Sequence, residues 1–96
     1  EFIPLPQEAI LRKTHYNAFL GTNLLKKLKK AKVDSVLICG VHTYLCCEST
    51  ARAAFEEGFK VFVLADGTAT LTETLHIRSL QALSLGFATP IFSDDL

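Results

Sequence analysis

The sequence predicts an α/β fold built on a parallel sheet, and three observations predict it. Two runs, SVLIC (Ser35–Cys39) and KVFVLA (Lys60–Ala65), are apolar and rich in β-branched residues, as in strands buried on both faces. Each is followed by a stretch whose apolar residues recur at helical spacing and which a glycine closes. Strands separated by single helices need crossover connections, and crossovers make neighbouring strands parallel.

Taken in order, the N-terminal EFIPLPQE holds Pro4 and Pro6 and is expected to be extended. AILRK (Ala9–Lys13) has the length of a brief strand. Gly21-Thr22 forms a turn, with Thr22 as N-cap of a helix over NLLKKLKKAK (Asn23–Lys32). Leu24, Leu25, Leu28 and Ala31 make its apolar stripe, and the lysines lie mostly off it. Ser35–Cys39 is the first buried strand, with Cys39 as a core residue, and Gly40 ends it. Thr43–Glu57 is helical, Thr43 can cap it, and Gly58 is a natural stop. Lys60–Ala65 is the second buried strand, broken by Asp66-Gly67. Thr72–Leu85 is the next helix, with Leu75, Leu80, Ala82 and Leu83 available to pack and Gly86 closing it. Ala88–Phe92 is a short last strand.

Composition narrows the function. Of the 96 residues, 49% are hydrophobic and 21% charged, which is the balance of a globular domain. Ten basic residues offset ten acidic ones, so no net field favours nucleic acid or a membrane surface. The lysines of LLKKLKK have no aromatic or arginine company and read as a solvated face rather than a DNA contact. No apolar run approaches the roughly 20 residues that span a bilayer, and the N-terminus lacks the pattern of a signal peptide. Three cysteines, Cys39, Cys46 and Cys47, without framework spacing argue against a disulfide scaffold and for a reducing, cytoplasmic compartment. No G-x-G-x-x-G follows a strand, and no CxxC or HxxxH suggests a metal, so no cofactor is expected.

In open parallel sheets ligands bind beyond the carboxyl ends of the strands. That rule singles out Gly40–Cys47 and Ala65–Thr70. The adjacent Cys46 and Cys47 stand near the entrance of a helix, where unpaired N–H groups and the helix dipole stabilise a thiolate. The same N–H groups can hold the oxyanion formed when a carbonyl is attacked. Small core residues are the alternative for both thiols. Spacing leaves open which of the two faces the strand ends. A nucleophilic thiol needs a proton acceptor and a nearby cation. Lys13, His15, His42, His76, Asp66 and Glu48 are the candidates. Lys13 ends a strand-like run, so it too can reach the carboxyl edge.

Two strings carry a family resemblance. RKTHYNAFLGTNL holds Lys13, Tyr16, Ala18, Phe19, Thr22 and Leu24 in the pattern K…Y-x-A-F-x-x-T-x-L. LICGVHTYLCCESTARAAF holds Gly40, Val41, Thr43, Cys46, Thr50, Ala51 and Ala54 in the pattern G-V-x-T-x-x-C-V-x-x-T-A-x-x-A. With these motifs the chain resembles the isochorismatase-like cysteine hydrolases, among them nicotinamidases, N-carbamoylsarcosine amidohydrolases and ureidoacrylate amidohydrolases. The resemblance implies a Rossmann-like, three-layer αβα fold with more parallel strands than this chain supplies. Residues 1–96 are accordingly expected to be the C-terminal portion of one such domain, with its N-terminal strands missing.

The resemblance also implies roles. Cys46 aligns with the nucleophile and Lys13 with the triad lysine. The backbone N–H groups of Leu45 and Cys46 align with the oxyanion hole, and the Val41–His42 bond with a cis peptide. Cys47 takes a position usually held by valine, which suits packing. A cysteine at the nucleophile position places the chain with the amide-cleaving branch. Phe19, His42 and Tyr44 are the expected pocket walls. The triad aspartate and the metal ligands of nicotinamidases align upstream of this chain. The expected function is therefore hydrolysis of a small amide through a thioester, with these 96 residues inactive alone, in a homo-oligomer or paired with the N-terminal segment. The alternative is a non-catalytic binding or assembly module.

Overall fold

The computed structural model describes residues 3–96; Glu1 and Phe2, the first residues of the segment expected to be extended, lie outside the described residues, and Pro6–Glu8 of that segment turn, with Glu8 N–H donating to the Leu5 carbonyl at 3.0 Å. The elements are α1 (Leu24–Lys30), β1 (Ser35–Val41), a π-helical turn (Thr43–Cys47), α2 (Glu48–Glu56), β2 (Lys60–Ala69), α3 (Glu73–Ser84), β3 (Thr89–Ile91) and a 3₁₀ turn (Ser93–Asp95). The strands form one parallel sheet in the order β1-β2-β3. The α/β class with a parallel sheet is therefore present as expected. Ala9–Lys13 is not a strand. No neighbouring strand pairs with it, and Ile10 is 74% exposed.

Period 2 explains where the core sits. Val36 and Ile38 of β1 lie beside Val61 and Val63 of β2, on one face of the sheet. Against that face pack Ala51 and Ala54 of α2, Leu80 and Leu83 of α3, and Leu25 and Leu28 of α1. The two alanines are fully buried, and their small size brings α2 close to the strands. The opposite face holds Leu37, 43% exposed, and the half-buried Phe62 and Leu64. The expectation that β1 is buried on both faces is thus corrected. Among the described residues the helices cover one face only, so Leu37 and Cys39 are exposed. Cys39 is not a core residue.

Three local differences matter for the site. First, β2 does not stop at Asp66-Gly67. The register runs Ile38↔Val63 and then Gly40↔Thr68, so Leu64–Gly67 bulges opposite Cys39 and pairing resumes beyond it. A Cβ on Gly67 would lie 2.8 Å from Leu64 Cγ, so only glycine fits the bulge undisturbed. Gly67→Ala is expected to cost about 1–3 kcal/mol of stability, read as a lowered midpoint in urea unfolding with an unchanged slope. Second, the helix expected over Thr43–Glu57 is two pieces, a π turn and α2. Third, Thr43 does not cap it. Its side chain is fully buried and bonds to His76 instead. Among the described residues only α3 of the α-helices has a side-chain cap, and Thr22 is not the N-cap of α1, where Asn23 stands without a side-chain cap bond. Thr72 accepts from Leu75 N–H at 3.1 Å at the start of α3. Thr22 accepts from Leu24 N–H at 3.3 Å, although the residue flanking α1 is Asn23.

Candidate active site

β1 delivers the chain to the sheet's carboxyl edge. Gly40, at φ +118°, turns it in a conformation that side chains disfavour. The Val41–His42 peptide bond is cis. The π turn follows at once. There the His42 carbonyl accepts from Leu45 N–H at 3.1 Å and from Cys47 N–H at 3.2 Å. Single π turns within helices are frequent at functional sites. This one holds Cys46 and Cys47 at its end, directly before α2.

The turn separates the two thiols that spacing alone leaves equivalent. Cys47 is 3% exposed and packs inward. Burial, and then the neighbouring Cys46 and Cys39, push its thiol up to about 11, so it is protonated and inert at neutral pH. Cys46 is half-exposed, and the Lys13 ammonium lies 3.7 Å from its sulfur. Both line a recess of about 200 Å3 together with Cys39, Gly40, Val41, Thr50 and the edge of Cys47.

Lys13 and Cys46 are 33 positions apart, and the residues of the first motif explain how they meet. Lys13 Nζ donates to the carbonyl of His15 at 2.7 Å and lies 3.4 Å from that of Tyr16, which curls the loop around the ammonium. Thr50, one turn beyond Cys46 on α2, accepts from Ala18 N–H at 3.0 Å and donates to the Tyr16 carbonyl at 3.4 Å. Thr22 donates to the Ala18 carbonyl at 2.6 Å. Phe19 stacks on Phe59 with centroids 6.4 Å apart, anchoring the loop in the core. The threonine and the aromatic are therefore fasteners that hold the lysine at the sulfur.

Several expected roles meet different geometry. Phe19 does not line the recess at Cys46; it is half-buried against the core and lines a separate apolar cavity with Leu24 and Leu28. His42 and Tyr44 are half-buried but do not line the recess; His42 Nδ1 lies 3.4 Å from Thr70 Oγ1. Leu45 N–H is committed to the His42 carbonyl, so its expected oxyanion role has no free donor in this arrangement. The Cys46 N–H remains the candidate. His42 N–H, which the sequence reading did not weigh, has no hydrogen-bond partner among the described residues. The carboxylates considered as proton acceptors are occupied elsewhere. Glu48 is paired with Arg52 at 3.0 Å, and Asp66 accepts from Ser93 Oγ at 2.5 Å and Ser93 N–H at 2.9 Å. The Ser93 hydroxyl, and then its N–H, hold the Asp66 carboxyl below its ordinary range. Among the described residues no carboxylate bonds to Lys13 or Cys46, and no group of three His, Cys, Asp or Glu stands ready for a metal. His15, the remaining imidazole near the loop, is exposed, with Nδ1 3.2 Å from Thr14 Oγ1.

Against known proteins, the chain matches the Isochorismatase domain family over residues 1–95. The chain belongs to the isochorismatase family. It is 46% identical over 91 residues to Nicotinamidase 3 of Arabidopsis thaliana, covering 95% of this chain and 46% of that protein. It is 31% identical over 96 residues to an isochorismatase of Bacillus subtilis, covering all of this chain and 31% of the other. An isochorismatase-like hydrolase from Alkaliphilus metalliredigens superposes with a TM-score of 0.94 at 36% identity, over 98% of this chain and 51% of that one. A nicotinamidase from Staphylococcus aureus superposes at 0.79 with 35% identity, over 84% and 53%. The chain thus spans about half the length, or less, of these isochorismatase-family relatives. It carries part of the family fold, and its helices include none long and apolar enough to cross a membrane among the described residues.

Proposed function

We propose that the whole protein is a cysteine-dependent hydrolase of small amides, with Cys46 as nucleophile and Lys13 beside it. The observation that carries this is the 3.7 Å approach of the Lys13 ammonium to the one half-exposed sulfur at the helix entrance. The ammonium stands where it can meet charge that develops on the sulfur or on a bound carbonyl. In the proposed reaction the Cys46 sulfur attacks the amide carbonyl carbon, and the carbonyl oxygen becomes an oxyanion. The Cys46 amide, with the unpartnered His42 amide beside it, receives that charge. The C–N bond breaks, and ammonia or an amine leaves with the proton taken from the thiol. Water then attacks the thioester, releasing the acid and restoring the thiol.

The thiol proton needs an acceptor, and the described carboxylates are engaged elsewhere. An aspartate outside these 96 residues fills that role in this reading, supported by the family relatives' greater length. The same reading makes residues 1–96 the later portion of one domain. The uncovered sheet face at Leu37, and Val41 at 61% exposure, support a covering by the rest of that domain or by a second copy. The free thiols support a reducing, cytoplasmic setting.

Nicotinamide is the first amide to test, because the 46%-identical relative is a nicotinamidase. Ammonia release from nicotinamide and other primary amides by the whole protein, with a Cys46-linked acyl adduct trapped by acid quench and found by mass spectrometry, is the expected result. The 96-residue chain alone is expected to release none. A whole protein that turns over no amide and forms no adduct would leave the binding-module reading standing.

A further inference from the structure

The geometry points to His76 as a positioning residue for the Cys46 turn, acting through the Thr43 hydroxyl; this rests on the thiol chemistry proposed above. His76 lies in the first turn of α3, far in sequence from the thiols. Its Nε2 is 3.0 Å from the Ala65 carbonyl, and its Nδ1 is 2.8 Å from Thr43 Oγ1. Ala65 belongs to the Leu64–Gly67 bulge of β2, which has no partners on β1. The imidazole therefore connects three pieces of structure: the helix α3, the bulge, and the first residue of the π turn.

The directions of both bonds follow from chemistry. A carbonyl oxygen can only accept, so Nε2 carries the proton. Nδ1 is then bare and accepts, and the Thr43 hydroxyl donates. Thr43 is fully buried, so water does not compete for that proton. A doubly protonated ring would leave the Thr43 proton without this acceptor in a place water does not reach. Both ring nitrogens are engaged, so His76 is not the base that takes the Cys46 proton. It acts at one remove.

A π turn needs such a brace. It is rare outside single turns, and here one carbonyl, that of His42, serves two N–H groups. Thr43 opens the turn and Cys46 follows three residues later. Without the His76 bond the turn can relax toward α geometry and carry the sulfur away from Lys13. Misplacement of a reacting atom by about 1 Å costs on the order of 100-fold in rate.

The test uses the whole protein and two readouts: the rate of Cys46 labelling by iodoacetamide at pH 7, resolved by peptide mass, and kcat and KM on nicotinamide. Thr43→Val keeps the shape and removes the donor. It is expected to slow labelling and kcat by about 10- to 100-fold, with KM within about threefold. Thr43→Ser keeps the donor and is expected within about threefold of the parent on both. His76→Asn keeps an acceptor near the Nδ1 position and is expected to outperform His76→Leu by about tenfold. The inference is overturned if folded Thr43→Val labels at the parent rate, or if Thr43→Ser falls as far as Thr43→Val. Should Thr43→Val lose its far-UV circular dichroism, the His76→Asn and His76→Leu pair decides: equal labelling rates overturn the inference. A parent that labels at Cys46 but hydrolyses nothing would sink the hydrolase reading, and the labelling rates would still decide the role of His76.

Discussion

Replacing Cys46 by serine in the whole protein is expected to abolish amide hydrolysis, with kcat/KM falling by about 10⁴-fold or more. Serine keeps the size of the side chain but is a poor nucleophile without a strong adjacent base. Lys13, fixed by the His15 carbonyl, is a cation and cannot serve as that base. The informative comparison is with the neighbouring thiols. Cys47→Val, at a buried site that takes a small apolar side chain, is expected to retain activity within about threefold. Cys39→Ser, at an exposed strand position, is expected to do the same. Rates of ammonia release and iodoacetamide labelling check all three. Full activity in Cys46→Ser would remove the proposed chemistry, and loss of activity only in Cys47→Val would move it to the buried thiol.

What the sequence could reveal divides along local and non-local lines. The strands were legible because runs such as Ser35–Cys39 and Lys60–Ala65 carry their own β propensity, and the helix after Thr72 shows its own apolar spacing. The extent of β2 was not legible. Asp66-Gly67 has the chemistry of a turn, yet the strand continues, because pairing resumes between Thr68 and Gly40, Gly67 leaves room for Leu64, and Ser93 holds the Asp66 carboxylate. Thr43 followed the same logic. A threonine at a helix start ordinarily caps it by accepting from a backbone N–H, but this hydroxyl is turned away to donate to a histidine 33 residues on. The exposure of Cys39 was equally hidden, since an apolar strand cannot state how many faces its neighbours cover. For the site, motif resemblance singled out Lys13 and Cys46. The fasteners that bring them together, Thr50 on Ala18 and Phe19 on Phe59, are motif residues whose purpose only the structure shows.

Those fasteners make the lysine's contribution separable from the loop's. Lys13→Met is expected to lower kcat/KM by about 100-fold and to slow iodoacetamide labelling of Cys46 in parallel. Two unit charges about 4 Å apart interact by about 4 kcal/mol at the effective dielectric of a protein surface, and solvent at the exposed Lys13 screens part of that. Methionine fills similar space, so the loss of charge dominates. It also frees the His15 and Tyr16 carbonyls, which loosens the loop. Thr50→Val isolates that second effect, because it releases Ala18 N–H without touching the cation. It is expected to cost less than about tenfold. If Thr50→Val were as damaging as Lys13→Met, the ammonium would be serving as a loop clasp and the thiolate would draw its stability from the helix entrance alone. A larger loss in Lys13→Met, seen equally in turnover and in alkylation by the uncharged reagent, assigns the difference to the charge beside the sulfur.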